Sequence, residues 1–474
     1  MPDRYDRHDR HDDVDAWLNE RIEPLSPPPG TFDLIKRRAR RRKFRRLAIT
    51  ASSAAVIVAA AVTVPQVVNL PILRENPTAG PATRAGQSTS TTPSTQSTGA
   101  SSIAASSAQP VPKPPRVPPD FQPTSVTFVS TRTGWVIGQA GSPGHCATRY
   151  CTSMARTTDA GRTWTGVPAP LAGAPDGATG VSQVRFLNLA DGWAFGPGLF
   201  VTHTGGKTWT PVSTHGLRVT SLETVGTRVY ALWASCTGTG AAYASNCTAY
   251  TLYSASAAGG AWTPVGDTTT GLTASAAGGT PSLVLTGSRG YLLAPDGTLY
   301  AGPVDGSAAW QAASSLPGAC HAGQAGRGGQ PDQALLGAVN ATDLLLSCLI
   351  PGSQGDQAQS DQTERKLIYS SSDGGGSWTR TGTAPSPGTA SSLAASPAAS
   401  VMLATDQGIE LLPAGETAWR AATLAGATPA GGFSYVGMTT DKQGIALPAD
   451  PRAGTVWFTF DGGQTWTPSA VASS

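Results

Sequence analysis

The chain carries few charges for its length. Only 13% of its 474 residues are Asp, Glu, Lys or Arg, whereas 56 are Gly and 38 are Pro, and about a quarter of an average globular domain is charged. Such a composition favours many short strands joined by turns over long solvated helices. Residues 1–46 hold 13 basic and 9 acidic residues, which leaves 20 against 21 for the remainder. This near neutrality predicts no nucleic-acid partner for residues 47–474.

Catalytic signatures are also missing after residue 123. That region contains no GxSxG, HExxH, P-loop or DxDxDG sequence, which mark α/β-hydrolases, zinc peptidases, nucleotide hydrolases and calcium loops. Glutamate occurs there only at Glu223, Glu364, Glu410 and Glu416. We therefore predict no catalytic, cofactor-binding or metal-binding residues. A metal site at the Asp- and His-rich residues 3–15, or at the Cys residues beside His145 or His321, is an alternative that lacks the ligand spacing of zinc sites.

A membrane anchor is predicted near the N-terminus. The basic run of residues 36–46 leads directly into residues 47–64, which contain no ionisable group. About 20 apolar residues span a bilayer as a helix, and Lys and Arg stay on its cytoplasmic side. We predict a cytoplasmic basic tail at 1–46, one transmembrane helix at 47–68 and an extracytoplasmic remainder, which makes a single-pass protein of the cell membrane. A cleaved secretion signal is the alternative.

Residues 75–123 have the composition of a linker. Ser, Thr, Ala and Gly dominate as far as Gln109, and the following run PVPKPPRVPPDFQP is typical of a stiff polyproline spacer. By linker scaling, the segment could hold a domain on the order of 60 Å from the membrane. The linker therefore predicts a stalk that presents the C-terminal region to the cell envelope.

An octet of the form Ser/Thr-x-Asp-x-Gly-x-Thr/Ser-Trp recurs after the linker. It is complete at 157–164, 371–378 and 459–466, and the copy at 202–209 lacks only the acid. Three further copies keep little beyond their Trp. The seven anchoring residues are Trp164, Trp209, Trp262, Trp310, Trp378, Trp419 and Trp466. They lie 41 to 68 residues apart, the usual length of one four-stranded unit.

Strand-like segments precede the clear octets, for example SVTFVS and GWVIGQ before the first copy. Each unit therefore has the order strand, strand, strand, octet, strand. Four-stranded sheets repeated around an axis form a β-propeller. We predict an all-β fold in which residues 124–474 form a seven-bladed β-propeller, preceded by the transmembrane helix and disordered segments.

Each residue type of the octet suits a tight hairpin turn. The Asp carboxylate can accept backbone N–H groups of its own turn, Gly can take a positive φ, and the hydroxyl groups can cap the same loop. The Trp then begins the outer strand and buries a large ring. The predicted structural residues are Asp159, Gly161, Trp164, Thr204, Gly206, Trp209, Asp373, Gly375, Trp378, Asp461, Gly463 and Trp466.

These octets resemble the Asp-box, or bacterial neuraminidase repeat, and the three complete copies carry the resemblance. It implies a β-propeller whose octets lie between the third and fourth strands at the outer rim, away from the central face where ligands bind. The pairing of a GW strand with an octet is also similar to the seven-bladed propellers of the photosystem II assembly type. Such a resemblance implies fold more firmly than activity.

Six cysteines follow the predicted anchor, and an even number outside the cytoplasm favours disulfide bonds. Near neighbours give the simplest of the 15 possible connectivities. The predicted pairs are Cys146 with Cys151, Cys236 with Cys247, and Cys320 with Cys348. These bonds would pin insertion loops in the first, third and fifth blades.

Glycoside hydrolysis is the alternative that the resemblance raises, because the Asp-box family includes sialidases and xyloglucanase-type enzymes. A sialidase-like site requires three Arg, a Tyr activated by Glu and an acidic Asp, and the family's Phe-Arg-Ile-Pro motif is absent here. The nearest string, VRF, belongs to a strand from which we expect Arg185 to face solvent. An aspartate pair for an inverting hydrolase stays open, although most candidates are interpreted as turn residues. They are Asp176, Asp191, Asp296, Asp305, Asp343 and Asp441.

The sequence thus predicts a noncatalytic binding or assembly propeller, monomeric and tethered to the membrane, whose partner is an envelope protein or glycan. The loops at 320–334 and 351–365 are candidate contacts because loops carry function on rigid scaffolds. Four aromatic residues could stack on sugars, but we expect them in the core. They are Trp135, Trp193, Trp233 and Trp457. The alternative is a sialidase-like or other glycoside hydrolase that acts on extracellular glycans.

Overall fold

Seven sheets make up the part of the chain that the structure describes. The computed structural model describes residues 115–141, 151–173, 179–236, 247–265, 281–294, 296–321, 334–350, 365–385 and 388–472. The predicted tail, the predicted membrane helix and most of the linker lie outside these ranges, as do Cys146, Asp176 and Glu364. Among the helices within them, none has both the length and the apolar character that crossing a membrane requires.

The first three blades each contain four antiparallel strands in chain order. Blade 1 consists of Gln122–Phe128 (β1), Gly134–Gln139 (β2), Thr152–Thr157 (β3) and Thr165–Val167 (β4). Blade 2 consists of Gln183–Phe186 (β5), Gly192–Phe195 (β6), Leu199–Thr202 (β7) and Thr210–Pro211 (β8). Blade 3 consists of Arg218–Val225 (β9), Arg228–Cys236 (β10), Cys247–Ser256 (β11) and Thr263–Pro264 (β12).

The next three blades repeat this order. Blade 4 consists of Ser282–Leu285 (β13), Arg289–Leu293 (β14), Thr298–Pro303 (β15) and Gln311–Ser315 (β16). A short helix, Gly318–His321 (α1), leads to blade 5, which consists of Leu335–Ala338 (β17), Leu344–Ile350 (β18), Arg365–Ser371 (β19) and Thr379–Ala384 (β20). Blade 6 consists of Ala390–Ala395 (β21), Val401–Thr405 (β22), Gly408–Leu412 (β23) and Arg420–Ala421 (β24).

Blade 7 has one strand more than the repeat predicts. The two-residue strand Thr423–Leu424 (β25) pairs in parallel with the outer strand of the blade. The four antiparallel strands are Phe433–Met438 (β26), Gly444–Pro448 (β27), Thr455–Thr459 (β28) and Thr465–Ala470 (β29), with a 3-10 helix at Pro451–Ala453.

The blades follow one another around a central axis. The first strand of each blade contacts that of the next blade, from β1 and β5 through β9, β13, β17 and β21 to β26. These first strands therefore line the centre of the ring. Six anchoring Trp residues come directly before the fourth strand of their blade, and Trp466 lies within it. The predicted all-β fold with seven blades is confirmed.

The core consists of hydrophobic clusters between neighbouring blades. The second strands are buried on both faces, as in β22 and β27, because each contacts its two neighbours in the blade and the adjacent blades. At the boundary of blades 1 and 2, Trp135 stacks on Phe186 with ring centroids 3.8 Å apart. The four aromatic residues considered for sugar stacking are each at most 3% exposed, so the expectation that they pack in the core is confirmed.

Two of the predicted disulfide bonds are present. Cys236 and Cys247 are bonded where β10 ends and β11 begins, and Cys320 of α1 is bonded to Cys348 of β18. Cys151 is also disulfide-bonded, while its predicted partner Cys146 lies outside the described residues. The bonds therefore fix the ends of connections in blades 3 and 5, as expected.

The ring closes without a strand shared between its first and last blades. Blade 1 uses only residues 122–167 and blade 7 pairs only with strands from 423 onward. Side chains join the two blades: Gln443 Nε2 donates to the carbonyl of Thr131 at 2.8 Å, and Trp164 Nε1 donates to Ser469 Oγ at 3.3 Å. Residues 115–121, which the sequence assigns to the linker, pack against this boundary.

Candidate binding site

The two faces of the ring differ in their connections. Because consecutive strands are antiparallel, the connections from first to second and from third to fourth strand share one face, and the remaining connections share the other. We call the first the octet face, since all octet turns lie there, and the second the insertion face. The strand ends that flank residues 142–150, 237–246, 266–280, 322–333 and 351–364 all lie on the insertion face. Chain length has therefore been added on one side of the ring.

The octet turns have a closed set of hydrogen bonds. In blade 5, Asp373 Oδ1 accepts the N–H of Ser377 at 2.9 Å and the hydroxyl of Ser371 at 2.8 Å, and Oδ2 accepts the Ser377 hydroxyl at 2.7 Å. The Ser371 hydroxyl accepts the N–H of Gly375, whose φ is 87°. The hydrogen bonds from Ser377 and Ser371 lower the pKa of Asp373 to about 2. The carboxylate is therefore an acceptor for its own turn.

The same contacts recur in the other complete octets, around Asp159 and Asp461. In blade 2, Thr204 stands in place of the acid. Its Oγ1 accepts the N–H of Thr208 at 2.9 Å and lies 2.8 Å from the Thr208 hydroxyl. The uncharged Thr204 hydroxyl thus makes some of the hydrogen bonds that the Asp carboxylate makes in the complete octets.

The aspartates considered for an inverting hydrolase lie in separate turns. Asp296 and Asp305 accept backbone N–H groups two residues ahead, from Thr298 and Ser307, each at 2.8 Å. The others accept hydrogen bonds within or between loops of blades 2, 5, 6 and 7, and are Asp191, Asp343 and Asp441. Their roles as turn residues match the sequence interpretation, and Asp176 lies outside the described residues.

Three ionisable or polar side chains from different blades meet in the central channel. Arg185 of β5 donates its Nε to Glu223 Oε1 of β9 at 3.1 Å, and its Nη1 to the carbonyl of Val184 at 3.0 Å. Tyr435 of β26 is close enough to both side chains to interact with their charges. All three lie on first strands, so the ring brings together residues from blades 2, 3 and 7.

Burial and charge set the protonation of this group. Burial by itself lowers the pKa of Arg185, but the interactions with Glu223 and Tyr435 together outweigh it, so the net pKa is raised. Burial raises the pKa of Tyr435, against the opposing effect of the Arg185 charge. At neutral pH the channel therefore holds a guanidinium cation beside a neutral phenol, which is a hydrogen-bond donor.

Two cavities meet at Arg185 and Tyr435. The larger, about 370 Å³, opens toward the insertion face and includes Thr124, Ser182 and Gln183 at the beginnings of first strands. The smaller, about 230 Å³, lies toward the octet face at the ends of first strands. Val126, Arg185 and Tyr435 line both cavities, so the two cavities adjoin at these residues.

The two cavities have unused hydrogen-bonding capacity. Nη2 of Arg185, the side-chain amide of Gln183 and the hydroxyl of Tyr435 make no hydrogen bond to any described residue, whereas Thr124 and Ser182 donate to backbone carbonyls. A guanidinium, an amide and a phenol can all donate. The cavities are therefore suited to a ligand group that carries oxygen acceptors.

Sequence reasoning missed this site. It predicted that Arg185 faces solvent, whereas the side chain is 19% exposed and paired with Glu223. It placed Arg185 on a strand correctly, and the alternation in β5 of half-buried Gln183 and Arg185 with buried Val184 and Phe186 follows the two-residue period of a strand. The prediction was wrong about the surroundings of the half-buried face of β5, because the first strands of a ring face its central channel and not bulk solvent. No sequence pattern distinguishes Tyr435 from the other strand residues.

The predicted contact loops lie largely beyond the described residues. Of 320–334 and 351–365, the structure describes only the flanking ends, which lie on the insertion face. The larger central cavity opens on the same face. These ends and the cavity define one side of the ring as the candidate binding surface.

Comparisons with known proteins give structural likeness at low identity. No protein-family model matches the chain, and no curated protein does. Among solved structures, YCF48 bound to D1 peptide matches with a TM-score of 0.45 and 16% identity, over 74% of this chain and 96% of that one. YCF48 from Cyanidioschyzon merolae matches with 0.39 and 15%, over 61% and 85%. An ancestral GH74 enzyme matches with 0.33 and 13%, over 72% and 56%. At these values, no ligand or activity of those proteins is assigned to this chain.

Proposed function

We propose that the propeller is a noncatalytic binding domain, held outside the cell by the N-terminal anchor and stalk, and that it binds an envelope protein or glycan on its insertion face. The observation that carries the proposal is that three residues with unused polar groups line one cavity. They are Gln183, Arg185 and Tyr435, and the cavity of about 370 Å³ is large enough for a few side chains or one sugar ring.

The ligand group that fits is an oxygen acceptor, either a peptide carbonyl or a sugar hydroxyl. A second charge from the ligand is not needed, because Glu223 already balances Arg185. The buried guanidinium keeps its pairing and offers a further N–H in a fixed direction, which suits recognition of a planar or bidentate acceptor. The strand ends that flank the longest connections lie on the same face, and loops on rigid strands commonly carry contacts with partners.

Binding without turnover is favoured by the protonation of the channel. Arg185, Glu223 and Tyr435 are three of the residue types that a sialidase-like site requires, and this observation keeps the hydrolase as the second candidate. A nucleophilic Tyr needs a lowered pKa or a free base beside it. Burial instead raises the pKa of Tyr435, and the carboxylate of Glu223 is paired with Arg185.

The test uses two substitutions that remove unused donors, Gln183→Ala and Tyr435→Phe, in the full chain in detergent micelles. Binding of sialosides, β-glucans, cell-wall glycans and extracted envelope proteins is measured together with release of sugar. Since neither donor has a partner among the described residues, both variants should keep wild-type thermal stability and lose binding about tenfold, the effect of one lost hydrogen bond.

A matched control separates binding from folding. The Tyr291 hydroxyl donates to the carbonyl of Ala341 at 2.6 Å, far from the channel, so Tyr291→Phe should lower stability and leave binding unchanged. Binding that survives both channel substitutions would reject the site. Sustained sugar release that depends on Tyr435 would reject the noncatalytic proposal in favour of the hydrolase.

A further inference from the structure

The boundary between blades 7 and 1 differs from the other boundaries of the ring in its chain connection. Every other pair of neighbouring blades is connected by the chain, whereas blade 7 ends at β29 and blade 1 begins with β1. No β-strand in the described ranges pairs across this boundary. Two cavities, of about 790 and 650 Å³, also lie along it. The stability of this boundary therefore depends on side-chain contacts and on any segment of the chain that packs over it.

Residues 115–121 cover it. The carbonyl of Pro115 accepts the N–H of Gly166 in β4 at 2.9 Å. Val117 and Phe121 are 6% and 2% exposed, within a cluster that includes residues of both blades. The members from blade 1 include Val126 and Val136, and those from blade 7 include Leu447, Val456 and Val471.

We infer that residues 115–121 are a clasp that holds blade 7 against blade 1 and links the state of the stalk to the central channel. The clasp is the first part of the propeller that the chain reaches from the stalk. A pull on the stalk, or cleavage within it, therefore acts on this boundary before any other contact between blades.

The clasp lies close to residues that line the central channel. Tyr435 lies on blade 7 and Arg185 on blade 2, so blade 1 stands between them, and the larger cavity is lined by residues of all three blades. Tyr435 is also packed against the hydrophobic cluster that contains Val117 and Phe121. Opening of the boundary would move Tyr435 away from Arg185 and widen the cavity. This consequence rests on the proposed binding site, whereas the clasp itself does not.

Gly166 permits a test that leaves the clasp residues unchanged. A Cβ at Gly166 would lie 2.6 Å from the carbonyl oxygen of Arg116, a contact with backbone that must shift. Gly166→Ala should therefore displace the clasp from β4. The matched control is Gly382→Ala, since Gly382 also lies in a fourth strand, β20, and its Cβ would meet nothing within 4 Å.

Two measurements on the full chain in detergent micelles report the result. Trypsin cleaves after arginine, and Arg116 precedes the buried Val117, so cleavage there requires the clasp to detach. We expect Gly166→Ala to be cleaved after Arg116 several-fold faster than wild type, with faster hydrogen exchange in β1, β26 and β29 and unchanged exchange in β10 to β15. Gly382→Ala should behave as wild type. Neither measurement uses a ligand, so failure of the binding proposal would be seen separately.

Two results would overturn the clasp. One is cleavage after Arg116 at the wild-type rate in Gly166→Ala. The other is faster cleavage with wild-type exchange in β26 and β29, which would make residues 115–121 a peripheral tail. If exchange rises in all blades of Gly166→Ala, hydrogen exchange is measured again in the milder variant Val117→Thr, which keeps the side-chain shape. Faster exchange confined to the boundary would support the clasp, and a uniform rise would reject it.

Discussion

Replacing Asp461 by Ala removes an acceptor that four groups of the blade 7 octet share. Its Oδ1 accepts the N–H groups of Gln464 and Thr465, each at 3.0 Å, and the Thr459 hydroxyl at 2.8 Å, while Oδ2 accepts the Thr465 hydroxyl at 2.6 Å. A hydrogen bond to a charged group contributes about 1.5–3 kcal/mol. Since water can reach this turn and replace the lost acceptor, we expect the free energy of unfolding to fall by about 1–2 kcal/mol in total.

Thermal unfolding followed by Trp fluorescence measures this loss, which corresponds to a Tm lower by about 1.5–3 °C for a domain of this size. Thr204→Ala is the matched control, because the blade 2 octet uses a hydroxyl where blade 7 uses a carboxylate, and its loss should stay below about 1 kcal/mol. A Tm for Asp461→Ala within about one degree of wild type would refute the stabilising role. Loss of ligand binding at unchanged Tm would instead place the octet in the binding site.

Three other predictions concern charge and placement. Lys366 is fully buried and donates to Glu410 at 3.1 Å, so Lys366→Met should cost about 3–5 kcal/mol by leaving that carboxylate unpaired, and adding Glu410→Gln should recover much of the loss in denaturant unfolding. The pKa of Asp373 is lowered to about 2. The ionised carboxylate therefore contributes to stability above its ordinary pKa near 3.8, and this contribution is lost as the pH falls toward about 2. The stability of Asp373→Asn in acid should accordingly depend less on pH in that range. Alkaline phosphatase fused after Ser474 should be active in a bacterial host if the propeller is extracytoplasmic, and inactive if it is not.

The repeat made the blade architecture predictable because each octet closes within eight residues. Local hydrogen bonds such as those of Asp373 depend only on neighbouring sequence, so the motif indicates a hairpin wherever it occurs. The eroded copies were found through their Trp alone, and still mark a fourth strand each, as at Trp310 and β16. The extra strand β25 had no such signal, because its two residues pair with β29 through backbone groups.

The channel group could not be predicted in the same way. Arg185, Glu223 and Tyr435 come from three blades, and their sequence separations say nothing of which side chains meet across a ring. Alternation identifies a strand with two different faces, but it does not distinguish a face toward solvent from one toward a narrow polar channel.

The contrast between the two faces constrains where any ligand is recognised. On the octet face, connections from first to second strand span two to five residues, and the octet carboxylates and hydroxyls are occupied by their own turns. Few polar groups there remain to bind a partner without breaking a turn. The larger cavity opens on the insertion face, and three of the residues that line it, Gln183, Arg185 and Tyr435, carry polar groups with no described partner. Loops tolerate sequence change while the strands beneath them stay fixed. Related proteins that bind different partners would therefore differ in these insertions and keep the same first strands.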